Sequence, residues 1–100
     1  MTTLGEKVVK VRSKNAGPFW VTVDIFCGDA DRFAEVRQAI TSDRVADLYK
    51  VPLDSLKRFD IAELSVIKFS FPRPVPQASP RDRDQHGAQY AVLLEELPLG

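Results

Sequence analysis

Residues 19–27 read FWVTVDIFC, and their alternation decides the fold. β-Branched and aromatic residues with a period of two make a strand, and successive side chains of a strand point to opposite faces. Phe19, Val21, Val23, Ile25 and Cys27 therefore share one face, which belongs to a core. Trp20, Thr22, Asp24 and Phe26 share the other. That mixed face, with two large aromatics, suggests cover by another element or another chain. Upstream, KVVKVRS (7–13) has the same character, so the two runs pair as a hairpin. The polar stretch RSKNAGP (12–18) joins them and is richer in specific groups than a turn requires.

Downstream the period changes. From Asp29 the apolar residues Phe33, Val36 and Ile40 recur at helical spacing, and Asp29 and Asp31 sit where the helix dipole favours negative charge. Thr41 or Ser42 can cap a second helix running to about Tyr49, which Pro52 ends. LDSLKRFDI (53–61) fits either a helical turn or the approach to a strand. AELSVIKFSF (62–71) is a strongly apolar strand. Four prolines within 72–80 forbid a central strand, and the loop they begin runs on through RDRDQHGAQ to about Gln89. YAVLLEEL (90–97) is expected to close the domain as a last strand. The fold class is therefore α+β, one domain over 1–100, with a mainly antiparallel four-stranded sheet and helices on one face. Parity along the chain brings the 13–18 turn and the 72–87 loop to the same edge of the sheet, if the two helices pack antiparallel.

Composition narrows the function. With 14 basic and 14 acidic residues, the formal net charge is zero, so no global field steers the chain to nucleic acid or an anionic membrane. No basic helix or aromatic RNA-binding motif is present either. One cysteine and one histidine exclude an internal disulfide and a Cys/His zinc cage. Asp24, Asp82, Asp84 and His86 could offer oxygen and nitrogen ligands, but no spacing signature supports a metal, and neither metal nor cofactor is expected. MTTLGEKVVK lacks the apolar run of a signal peptide, and no segment approaches the ~20 apolar residues of a membrane span, so a cytoplasmic location is expected.

The long loop carries the chemistry. His86 titrates near neutrality, and Asp84 or Asp82 could orient it as a general acid or base. A lone loop histidine is more often a surface or hydrogen-bonding residue, and Arg-Asp-Arg-Asp (81–84) also reads as a solvated charge ladder. Lys14, with Asn15 and Gly17 beside it, reads as an anion contact, although a following helix and the Gly-Lys-Ser/Thr order of a phosphate loop are missing. Ser13 is next to Lys14, but neighbours on a strand point apart, which argues against a nucleophilic pair. Cys27 is a small core residue.

VRSKNAGPFWVTVDIF and RPVPQASPRDRDQHGAQ resemble the two signature stretches of a small bacterial family of unknown function, and the likeness extends from about Val8 to Leu97. Members of that family are typically encoded beside large proteins of the acyclic terpene utilisation (AtuA-like) type, among enzymes of acyl-CoA metabolism. A related AtuA-like domain has a ferredoxin-like fold, which the resemblance implies here as a two-layer sandwich. The resemblance also implicates Ser13, Lys14 and Asn15 in the first stretch and Arg83, Asp84, His86 and Gln89 in the second, and their chemistry reads as one polar site with Asp84 and His86 as the catalytic pair and the rest binding substrate. The chain would then be the small subunit of a two-component enzyme acting on acyl-CoA or hydroxy acids, its partner the large AtuA-like protein. A non-catalytic interaction module docking through Trp20 and Phe26, or an independent homo-oligomeric lyase or hydratase, are the alternatives. Pro80 and Tyr90 depart from the family pattern.

Overall fold

The computed structural model describes residues 2–17, 19–72 and 88–99. A short helix α1 (Leu4–Lys7) leads into β1 (Lys10–Asn15) and β2 (Trp20–Phe26); α2 (Ala30–Ala39) and α3 (Ser42–Tyr49) follow, then β3 (Lys57–Ile61), β4 (Val66–Pro72) and α4 (Ala88–Glu95). The four strands form one sheet in the order β1-β2-β4-β3, with every neighbouring pair antiparallel. Because β2 and β3 are both antiparallel to β4, they run parallel to each other with β4 inserted between them. This is a split βαβ unit. The strand flanking β2 on its other side is β1, from the N-terminal side of the chain.

The alternation of β2 works as its composition implies: Val21, Val23, Ile25 and Cys27 are fully buried, as are Ile67, Phe69 and Phe71 on β4. Against this face pack Phe33 and Val36 of α2, Val45 and Tyr49 of α3, and Leu94 of α4, together with Ile40 between α2 and α3. Each such aliphatic or aromatic side chain contributes about 1.5–3 kcal/mol relative to exposure. The predicted caps are present, with Asp29 Oδ1 accepting from the Arg32 N–H at 2.8 Å and Thr41 Oγ1 from the Arg44 N–H at 3.3 Å. The C-terminus of α2 is tied to β3 by two arginines. Arg58 on β3 donates to the carbonyls of Ile40 (2.7 Å) and Arg37 (3.0 Å), and its Nε reaches Asp60 Oδ1 at 2.9 Å. Arg37 binds the other oxygen of Asp60 at 3.0 Å. Burial alone would raise the Asp60 carboxyl, but the two guanidinium groups outweigh it and hold the group below its ordinary range.

Five expectations change, the first at β1: the strand expected from Lys7 starts at Lys10, because Leu4–Lys7 form α1. Residues 90–97 are not a strand; most of them lie in α4, whose Ala91 and Leu94 turn inward while Val92 and Leu93 face outward. Ala, Leu and Glu are strong helix formers, and the run lacks true alternation. The fourth strand comes from the ambiguous 57–61 stretch instead. The strand expected from residue 62 starts at Val66, because Ala62–Leu64 form a helical turn and Ser65 takes a left-handed conformation (φ 53°). Phe19 is 59% exposed, since β2 begins one residue later. No helix among the described residues is long and apolar enough to cross a membrane.

Candidate functional site

β1 continues through Asn15, so Ser13, Lys14 and Asn15 belong to a strand and not to the turn, which starts at Ala16. Register fixes their faces. Ser13 is opposite Val23 and Asn15 opposite Val21, on the helix-covered side, whereas Lys14 is opposite Thr22 on the open side. The three do not line one wall. Ser13 Oγ accepts the backbone N–H of Ala91 at 3.1 Å. Ala91 lies in the first turn of α4, so this bond ties the start of that helix to β1. Ser13→Ala is expected to cost about 1 kcal/mol in urea unfolding, the usual net worth of one hydrogen bond.

The ends of the long connection meet beside this contact. Pro72, the last residue of β4, is opposite Trp20 at the start of β2, and α4 starts at Ala88, three residues before the N–H that Ser13 holds. Both ends of segment 73–87 therefore lie at the hairpin end of the sheet, as parity requires. The descent that parity assigned to the second helix is made by β3. Arg83, Asp84 and His86 lie outside the described residues, as do Asp82 and most of the second signature stretch. Gln89 is in the first turn of α4; its side chain is also outside them.

Beneath this end is an aromatic cluster that sequence reasoning missed. Tyr49 stacks on Phe71 with centroids 4.6 Å apart, and Tyr90 meets both rings edge-on at 5.4 and 5.6 Å. The Tyr49 hydroxyl donates to the Tyr90 carbonyl, joining α3 to the first turn of α4. Burial, then the neighbouring Tyr90, push the Tyr49 hydroxyl well above its ordinary pKa, so it acts as a neutral donor and not as a base. The only available signal was Tyr49 in the last turn of a helix, three residues before Pro52. Cys27 is fully buried and its thiol is pushed up to about 11, chiefly by burial and then by Asp29, which fits a core residue.

Among the described residues, no helix packs on the opposite face of the sheet. Its rows are Lys14, Thr22, Ser70 and Lys57; then Arg12, Asp24, Lys68 and Phe59; then Lys10, Phe26, Val66 and Ile61. Trp20 and Pro72 complete it at the hairpin end. No group of three or more His, Cys, Asp or Glu side chains among the described residues could hold a metal ion.

What the described residues offer is one end of the sheet where the first signature stretch lies beside Pro72 and the start of α4, and a basic, partly aromatic sheet face next to it. No curated protein and no solved structure gives a significant match to the chain. A family model does, over residues 4–97, and on that match the chain belongs to the family described as domain of unknown function (DUF4387).

Proposed function

We propose that the chain is the small subunit or accessory domain of a two-component AtuA-like enzyme in acyl-CoA or hydroxy-acid catabolism, working in the cytoplasm. In this reading it lends the polar residues of its hairpin end to a site completed by the large protein. One observation carries the reading: the hairpin strand bearing Ser13 and both ends of segment 73–87 meet at one end of the sheet, through the Trp20–Pro72 pair and the Ser13–Ala91 hydrogen bond. Segment ends anchored on a rigid sheet are where a scaffold presents chemistry. A chain of this size has little room for a deep pocket of its own, so an interface is the natural place for one.

Within that site the division of labour follows residue chemistry. His86, oriented by Asp84, moves a proton, and Arg83 holds a carboxylate or phosphate through paired N–H donors. Lys14 and Gln89 assist binding. Ser13 serves instead to hold α4. The reaction class that uses such a set without a cofactor is a lyase or hydratase.

His86→Ala, assayed in the reconstituted pair with acyl-CoA and hydroxy-acid substrates, is expected to lower turnover by about 10²-fold or more, the usual worth of a positioned acid or base. Association with the large protein is expected to be unchanged. Turnover equal to wild type would reject the catalytic role.

A further inference from the structure

The sheet ends on β1 at one side and on β3 at the other, and hydrogen-bond parity fixes what β3 shows to its outside. The Cys27 N–H donates to the Ser65 carbonyl at 2.9 Å, continuing the β2–β4 register, while the carbonyls of Trp20 and Phe26 accept from Ala16 and Val9 on the β1 side. Odd-numbered residues of β2 and β4 therefore bond each other. Even-numbered residues of β4 bond β3, where register makes their partners Lys57, Phe59 and Ile61. Alternation then turns the N–H and C=O groups of Arg58 and Asp60 away from the sheet. No backbone hydrogen bond among the described residues reaches them there. Phe59, between them on the open face, is 49% exposed. An outer strand in this condition is a template for another strand.

We propose that β3 pairs with β3 of a second copy of this chain, antiparallel about a two-fold axis between the two Phe59 residues, joining two four-stranded sheets into one. In that register Arg58 of each copy lies opposite Asp60 of the other, and the two exchange backbone N–H···O=C bonds. Sequence order selects both occupant and register. Lys-Arg-Phe-Asp-Ile is basic before Phe59 and acidic after it, so reversal sets opposite charges against each other. The neighbouring registers that keep the backbone bonds oppose Arg58 to Arg58 or Asp60 to Asp60, and like charges directly opposite are destabilising. The Arg58 and Asp60 side chains already hold each other, and Asp60 also holds Arg37, so the second copy completes nothing there. It supplies partners to the backbone and cover to Phe59, which meets its counterpart in a non-hydrogen-bonded pair, where facing side chains come closest. β1 cannot pair with itself in this way. Its even-numbered residues bond β2, so any antiparallel self-pairing through the odd ones would oppose Lys10, Arg12 and Lys14 to one another. The assembly therefore closes as a dimer and does not grow into a fibre. Its axis stands perpendicular to the sheet, so the two hairpin ends lie at opposite ends of the dimer. The pairing is independent of the two-component reading.

The test is sedimentation equilibrium of the purified chain alone from ~1 μM to ~1 mM, the span in which a modest interface shows. Wild type is expected to pass from monomer to dimer and to go no further. Phe59→Glu, which sets two carboxylates opposite each other at a position exposed in the monomer, is expected to weaken self-association about 100-fold with an unchanged far-UV spectrum. Register is read by diamide oxidation of Phe59→Cys, whose thiols face each other across the axis, and of Lys57→Cys, whose thiol faces Ile61 of the second copy. The first is expected to cross-link into a covalent dimer and the second is not. Cys27 is fully buried, so wild type serves as the blank. A wild-type chain that stays monomeric throughout the series overturns the proposal. So does a dimer that Phe59→Glu leaves intact, or one in which Lys57→Cys cross-links as readily as Phe59→Cys. Growth beyond the dimer overturns the closed two-fold.

Discussion

Phe71→Ala is expected to destabilise the fold by about 3–5 kcal/mol, the range for removing a buried phenyl ring from a core. For a domain of this size each kcal/mol lowers the melting temperature by roughly 4–8 °C, so the variant melts far below wild type or does not fold at 37 °C. The size of the effect follows from position. Phe71 has no exposed surface, stacks on Tyr49 and meets the edge of Tyr90, so its removal leaves a cavity where β4, α3 and α4 converge. Those elements cannot close it without breaking the hydrogen bond from Tyr49 to the Tyr90 carbonyl. Phe19→Ala is the control: the same truncation at a 59% exposed ring is expected to change stability by no more than about 0.5 kcal/mol. Urea unfolding of both variants checks the pair, and a Phe71→Ala loss under about 1 kcal/mol would contradict the packing described.

Gly28→Ala is expected to cost about 2–3 kcal/mol from two separable causes. Gly28 takes φ 99°, where a side chain strains the backbone by about 1–2 kcal/mol. A Cβ there would also stand 2.7 Å from Cγ2 of Val9, closer than atoms can sit. Val9 is 64% exposed, so Val9→Ala alone is nearly neutral, and in that background the Gly28 substitution should cost only the backbone part. The double-mutant cycle therefore reports a coupling of about 1 kcal/mol. Additive effects would mean that steric approach plays no part. Gly17, also at positive φ but with nothing near its Cβ position, should show the backbone part alone.

The parts of the fold legible in the sequence were those where one physical rule acts alone. β2 alternates because one of its faces is core, and α2 repeats at helical spacing because it packs one stripe on that core. β3 was ambiguous for a specific reason. In Lys-Arg-Phe-Asp-Ile the charged Arg58 and Asp60 are on the covered face, where Arg58 caps α2 and Asp60 holds the guanidinium groups of Arg58 and Arg37, while Phe59 faces outward. Its polarity runs against the usual strand pattern. α4 was misread because its apolar run is nearly continuous, which periodicity cannot assign to strand or helix. Ser13, Lys14 and Asn15 looked like a turn since they are polar, yet the Ser13 hydroxyl binds a helix that begins 75 residues later. The basic open face was invisible for a different reason. Lys10, Arg12 and Lys14 alternate in plain view, but Lys57 and Lys68 join them only through strand register, and the neutral total hides the local excess.

Light scattering on a size-exclusion column, with the chain alone, the large AtuA-like protein alone and the two mixed, weighs the proposed pairing most directly. The account predicts a new peak in the mixture whose mass is the sum of whole numbers of both chains. Two peaks at their separate masses, unchanged on mixing across the protein concentrations of the turnover assay, would contradict it.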